Sequence, residues 1–165
     1  MFKLARRVFF SFQYEQDIWR ANVVRNSWVT KDRESAGFWD ASLWEKTKIK
    51  GENALKNLIN EGLKNTSVTV VLIGRETANR KWVLYEIKQS HNRGNGLLGI
   101  YIHGIKDQYS NTDIQGPNPF KKLYIDKGWY KKYLSELYPT YYWKVSMGYH
   151  YLGQWIEEAA QKAGK

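Results

Sequence analysis

Uninterrupted apolar blocks alternate along this chain with stretches whose apolar positions recur every three or four residues, a pattern that predicts strands and helices in turn. Val8-Phe9-Phe10-Ser11-Phe12 has no polar alternation and is predicted as a first strand covered on both faces. From Tyr14 to Val24, the apolar positions Ile18, Ala21 and either Val24 or Trp28, with charge between them, are compatible with a helix. Thr30 to Ser42 is polar, with Gly37 and two isolated aromatics, and is predicted as an irregular loop. Gly51 to Lys64 places Ala54, Leu55, Leu58, Ile59 and Gly62 on one side of a helix, with Asn65 as a left-handed cap. Val68 to Gly74 is the strongest strand, rich in Val and Ile as a buried parallel position requires. A polar turn, a helix from Lys81 to Asn92, a break at Gly94 to Gly96 and a strand from Leu97 to Ile102 complete a β-α-β unit.

Beyond it, Gly104 to Pro119 turns to Gly, Asn, Asp, Gln and Pro and marks a long surface excursion. Phe120 to Met147 has no single period and receives no element. Leu152, Trp155, Ile156, Ala159 and Ala163 then form a helical stripe, with Gly164 just past its end. Strands alternating with helices imply an α/β fold, an open parallel β-sheet with helices on both faces. Ligands of such sheets bind outside the carboxyl ends of the strands at a topological switch point. The search for a site therefore narrows to the loops after Phe12, Ile73 and Ile102.

Composition changes this picture by exclusion. At 165 residues and 42% hydrophobic, the chain is long enough for one domain with a substantial core. With no cysteine, disulfides, thiolate nucleophiles and Cys-ligated metals are excluded. His91, His103 and His150 lack metal-ligand spacing, so no bound metal is expected. The basic segment Met1 to Arg7 is read as neither a signal peptide nor a membrane span, and a cytoplasmic protein is expected. The net charge of +10 leaves three causes open: nucleic acid, an acidic membrane face or a small anionic ligand.

Two familiar patterns fail on context. Gly94-Asn95-Gly96-Leu97-Leu98-Gly99 spells a dinucleotide fingerprint, but a helix enters it and a strand leaves, the reverse of what places a helix amino terminus on a pyrophosphate. The first strand ends Ser11-Phe12-Gln13, without the acidic residues of a phosphate-accepting receiver, and no Walker loop is present. The informative segment runs from Thr77 to Ile87. At 100° per residue Val83, Leu84 and Ile87 face the core, while Trp82 and Glu86, four apart, share the flank beside it. An indole and a carboxylate thus meet near the helix end that faces the ligand side of the sheet. The plainer alternative has Trp82 covering the core edge and Glu86 favouring the helix amino terminus. Arg75, Arg80 and Lys81 fit either a pyrophosphate site or a solvated positive turn.

These residues resemble a known family. Val8 to Phe12 is similar to the first strand of Toll/interleukin-1 receptor (TIR) domains, and Trp82-Val83-Leu84-Tyr85-Glu86 to their Trp-x-x-x-Glu signature. Phe10 to Tyr14 with Asp17, Trp19, Arg20 and Arg25-Asn26, Val70 to Gly74 with Thr77 and Arg80 to Ile87, and Gly99 to Gly104 resemble one branch, the TIR-like proteins of the Thoeris anti-phage defence system (ThsB). The resemblance runs from about residue 7 to residue 120, with an echo in Gly153 to Ile156, and does not extend through Thr30 to Gly51.

It implies a flavodoxin-like, TIR-like fold in a single domain over 1–165. It further implies an enzyme that senses phage infection and converts NAD⁺ into a cyclic ADP-ribose isomer, releasing nicotinamide. NAD⁺ is then substrate, no cofactor is needed, and the diffusible product activates a separate effector. The phage trigger and any homo-oligomer stay open. Carried over by position, Glu86 is the catalytic glutamate; Phe10, Ser11, Phe12, Gln13, Tyr14, Asp17 and Trp82 are expected at the substrate, with Arg75, Arg80 and Lys81 as its basic neighbours. The alternative is a TIR-like interaction module without chemistry. The block Phe120 to Tyr133 interleaves lysines with Tyr124, Trp129, Tyr130 and Tyr133, a composition that suits single-stranded nucleic acid. We read it instead as rings packing inward with the lysines in water, and expect neither nucleic acid nor membrane as partner.

Overall fold

A computed structural model describes residues 6–29, 35–37 and 41–165. Among these, five strands form one wholly parallel sheet: β1 (Val8–Ser11), β2 (Ser35–Gly37), β3 (Val68–Ile73), β4 (Gly96–Tyr101) and β7 (Thr140–Tyr142), in the order β2-β1-β3-β4-β7. Five helices join or flank them: α1 (Tyr14–Val29), α2 (Ala41–Ile49), α3 (Glu52–Leu63), α4 (Lys81–Asn92) and α5 (Gly148–Lys162). The remaining strands, β5 (Tyr124–Asp126) and β6 (Lys131–Tyr133), form a separate antiparallel hairpin. No helix among the described residues is long and apolar enough to cross a membrane.

Period-two alternation sends the strands' side chains into two layers. Val8, Phe10, Val70, Leu72, Leu98 and Ile100 pack with Ala21, Val24 and Trp28 of α1 and with Leu152, Trp155 and Ile156 of α5. On the other face, Val71, Ile73 and Leu97 meet Val83 and Ile87 of α4, while Phe9 packs on Ile59 and Leu63 of α3. Helices therefore cover both faces of the parallel sheet, as the alternation of elements implies.

Local expectations hold with adjustments. Helix α1 runs past Val24 to Val29, because Val24 and Trp28 both reach the core. Asn65 adopts φ 61°, the left-handed stop after α3. Gly94, at φ 75°, ends α4. Gly96 answers a different demand, since a Cβ there would lie 2.4 Å from the Ala159 carbonyl oxygen of α5. The Gly94 to Gly99 pattern is thus a helix stop followed by close helix–strand packing. In α5, Ala160 is buried where the stripe predicted Ala163, which is half-buried.

Two expectations need correction. Within the predicted loop from Thr30 to Ser42, Ser35–Gly37 is an edge strand beside β1 and α2 begins at Ala41. The rest of that loop, 30–34 and 38–40, lies outside the described residues, as do 1–5. The second correction concerns the lysine-aromatic block. Tyr124, Trp129, Tyr130 and Tyr133 are exposed, and the inward places are taken by Phe120 and Leu134. A three-residue strand pair offers one face to the core, and here that face is spent on Ile125.

Candidate functional site

Chain direction reverses at β1: α1 leads to β2 on one side, and the chain then crosses back to β3 on the other. The crevice beyond the carboxyl ends of β1 and β3 is the switch point of the sheet. A cavity of about 440 Å³ opens there, within the range of small-molecule sites. Its walls come from Phe12, Gln13, Tyr14 and Glu15 after β1, from Asn79 to Val83 at the start of α4, and from Trp44, Glu45 and Lys48 of α2. Glu86 lies within this lining.

Helix α4 buries Val83, Glu86, Ile87 and Ser90, spaced i, i+3, i+4 and i+7. Glu86 therefore sits on the core-facing stripe, not on the flank where its spacing from Trp82 placed it, and Leu84 is only half-buried. Polar contacts make the burial tolerable. One turn further along α4, the Thr69 hydroxyl of β3 lies 2.7 Å from the Ser90 hydroxyl, which donates to the Glu86 carbonyl at 2.8 Å. This pins the helix to the sheet at a fixed height. Ser11 then donates from the end of β1 to Glu86 Oε1 at 2.9 Å.

Glu86 Oε2 is buried and has no hydrogen-bond partner among the described residues. With the residue only 3% exposed, burial raises its pKa well above 4.5, opposed by the Ser11 hydrogen bond. A half-satisfied carboxyl at a cavity costs the fold stability, since an unmade hydrogen bond leaves the desolvation of that oxygen uncompensated.

Aromatic rings and positive groups surround it. Trp82 stands edge-on between Trp44 and Tyr85, with centroid distances of 6.2 and 5.7 Å. Phe12 and Tyr14 lie 6.3 Å apart on the opposite wall. The amino termini of α1 and α4 both open on the cavity; Gln13 caps α1, whereas α4 has no side-chain cap and its first N–H groups favour an anion. Arg80, Lys81 and Lys48 add charge, with Lys81 paired to Glu52 and the Arg80 side chain making no hydrogen bond among the described residues.

The expected residues thus divide. Glu86, Phe12, Gln13, Tyr14, Trp82, Arg80 and Lys81 line the cavity, and Ser11 reaches it through Glu86. Gln13 has a second duty, its Oε1 accepting from Gln16 N at 3.0 Å as the cap of α1. Phe10 points to the opposite face of the sheet, among the α1 and α5 side chains. Arg75 stands apart, 3.9 Å from both Glu76 and Asp113. Asp17 is buried against Gly74 with Thr77 as partner, and does not line the cavity. Of the three loops the fold nominated, the one after Ile102 supplies no wall. It straps over Gly74 and Arg75 and is tied down by Arg20, which donates to Ile105 O and Asn111 O at 2.6 and 2.9 Å. Trp44, Glu45 and Lys48 were not foreseen; the aromatics around a polar segment were the available signal. Among the described residues no cluster of His, Asp and Glu could hold a metal ion.

Comparison with known proteins accords with this geometry. A protein of Bacillus cereus (strain MSX-D12), named as a candidate cyclic ADP-D-ribose synthase, ThsB1, is 57% identical over 122 residues, which is 73% of this chain. The match spans 64% of that relative's length. The family model for the TIR-like domain of Thoeris protein ThsB matches residues 9–107, from β1 through the helix carrying Glu86 and past β4. The chain belongs to the ThsB TIR-like family.

Proposed function

We propose that this chain cleaves the bond between nicotinamide and ribose in NAD⁺ and closes the remaining ADP-ribose into a cyclic isomer. The observation that carries the reading is Glu86: a buried carboxyl in the cavity lining, with one oxygen held by Ser11 and the other without a partner among the described residues. The Bacillus cereus relative, named as a candidate cyclic ADP-D-ribose synthase, supports it.

Nicotinamide leaves NAD⁺ as a neutral molecule, taking the electron pair of the C1′–N bond, so no general acid is required. The barrier is the positive charge that develops on the ribose as that bond breaks. A carboxylate fixed beside the ribose stabilises this charge, and a water-poor wall of rings makes the attraction stronger than in solution. Burial raises the Glu86 pKa; a cationic substrate beside Oε2 favours the ionised form, with Ser11 keeping its orientation. The new bond to C1′ comes from a lone pair of the same ADP-ribose, and a proton is released. NAD⁺ thus becomes cyclic product, nicotinamide and H⁺. Ring closure requires a folded substrate and excluded water, a task that suits Trp44, Trp82, Phe12 and Tyr14. The amino terminus of α4 with Arg80 and Lys81 suits the pyrophosphate. On this reading the cyclic nucleotide is the message of an anti-phage response, carried to a separate effector.

The test is to supply the protein with NAD⁺ and extract from phage-challenged cells, and to separate nicotinamide, ADP-ribose and its cyclic isomers by chromatography. Nicotinamide and one cyclic isomer are expected from the parent and neither from Glu86→Gln. Equal product from both proteins overturns the role of Glu86, and linear ADP-ribose alone overturns cyclisation.

A further inference from the structure

The hairpin of β5 and β6 presents exposed aromatic surface, and none of its residues lines the cavity. Tyr124 and Tyr133 face each other across its base with ring centroids 5.6 Å apart. Trp129 and Tyr130 sit in the turn, 4.5 Å apart, and Trp129 is 90% exposed. A large apolar side chain so exposed is the informative kind of surface residue. The turn is not loose: Asp126 Oδ1 accepts from Gly128 N at 2.9 Å, Lys127 N donates to Tyr130 O at 3.0 Å, and Gly128 takes φ 90°. The base is anchored by Leu134 N donating to Leu123 O at 2.9 Å, with Ile125 against the core. The rings are thus held outward by ordered backbone.

Charge lies among them. Residues 121–133 hold five lysines and one aspartate, a formal +4, and the Lys131 ammonium stands 4.5 Å from the Tyr124 ring centroid. We propose that this hairpin binds a single-stranded polynucleotide, its rings stacking on bases and its lysines meeting phosphates. Such a strand presents flat π faces and negative charge at one repeat, the pair of features displayed here. Three residues of strand at about 3.3 Å each put the Tyr124–Tyr133 pair about 10 Å from the tip, so the two ring pairs are spread along the hairpin as stacking positions are along an extended strand. The proposal stands independently of NAD⁺ processing.

The test is fluorescence anisotropy with labelled oligothymidylate and oligouridylate of about twelve nucleotides, titrated from about 20 to 200 mM salt. Binding at low salt that falls steeply as salt rises is expected, and the two oligomers tell DNA from RNA. Trp129→Ala is expected to weaken binding about tenfold at every salt concentration. Lys127→Glu and Lys131→Glu are expected to flatten the salt dependence. Because Trp129 is exposed, its variant should melt with the parent, so a loss of binding reports the surface and not the fold. Absence of binding at low salt overturns the proposal. So does equal binding by Trp129→Ala, or preference for duplex DNA or for phosphatidylserine vesicles in a sedimentation assay.

Discussion

Glu86 and Asp17 are both buried carboxyls near the carboxyl edge of the sheet, at 3% and 1% exposure, and burial raises the pKa of each. Their surroundings differ in one respect that matters. Asp17 is enclosed: Thr77 reaches Oδ2 at 3.5 Å, Arg20 and Arg80 draw its pKa back to about 6, and a Cβ on Gly74 would lie 2.2 Å from Oδ2. Among the described residues the Glu86 carboxyl has one hydrogen bond, to Ser11, and one buried oxygen without a partner; no cation is among the causes acting on it, and the residue lines the cavity. Burial alone does not single out a reactive acid. What distinguishes Glu86 is an oxygen without a hydrogen bond among the described residues, in a side chain that lines the cavity, a capacity that a ligand can meet.

The sharpest way to break this contrast is Glu86→Gln. It should lower cyclic product by about a hundredfold or more, measured by chromatography. It should also melt no lower than the parent at pH 7. Glu86 is raised in the fold, so the stability present below its ordinary value of 4.5 is lost as the unfolded chain ionises above it; Gln escapes that loss, and its advantage should vanish as pH falls towards 4. On the enclosed side, Gly74→Ala drives a methyl group into the Asp17 carboxylate and should cost about 1–3 kcal/mol in denaturant unfolding. Part of that cost should return in the Gly74→Ala, Asp17→Ala double variant, as expected for side chains in contact. A smaller effect belongs to the cavity rim: Trp44→Ala should raise KM for NAD⁺ several-fold by removing one ring from the wall. The smallest is the pH profile of Asp17. Its pKa rises from 3.8 to about 6 on folding, so stability should decline as pH climbs through that window, and Asp17→Asn should flatten the decline in pH-dependent melting.

Much of the scaffold was legible because its signals are local. The unbroken runs of β1, β3 and β4, the stripe of Leu55 and Ile59 in α3 and the helix stops at Asn65 and Gly94 follow from side-chain period and backbone sterics. The short strands β2 and β7 were not legible, since three residues carry no period and form only beside an existing edge. Helix α2 escaped for a related reason: its stretch follows a polar segment and has no strong apolar face. In the candidate site, Glu86 and Trp82 stood out through their spacing, whereas Trp44 and Lys48 enter from an element more than thirty positions away along the chain.

By itself, then, the sequence determined the alternation of strand and helix, the exclusion of thiol chemistry and the family signature that singled out Glu86. Tertiary structure decided how those residues are used. It turned Glu86 from the flank onto the buried stripe and aligned Ser11 with one oxygen only. It sent Phe10 to the far face, walled Asp17 away from the cavity and left Trp129 in water. The physical reason is the range of the forces involved. Period and turn geometry act between neighbours along the chain, while burial, hydrogen-bond satisfaction and the field at a carboxylate depend on groups brought together only when the sheet and its helices close.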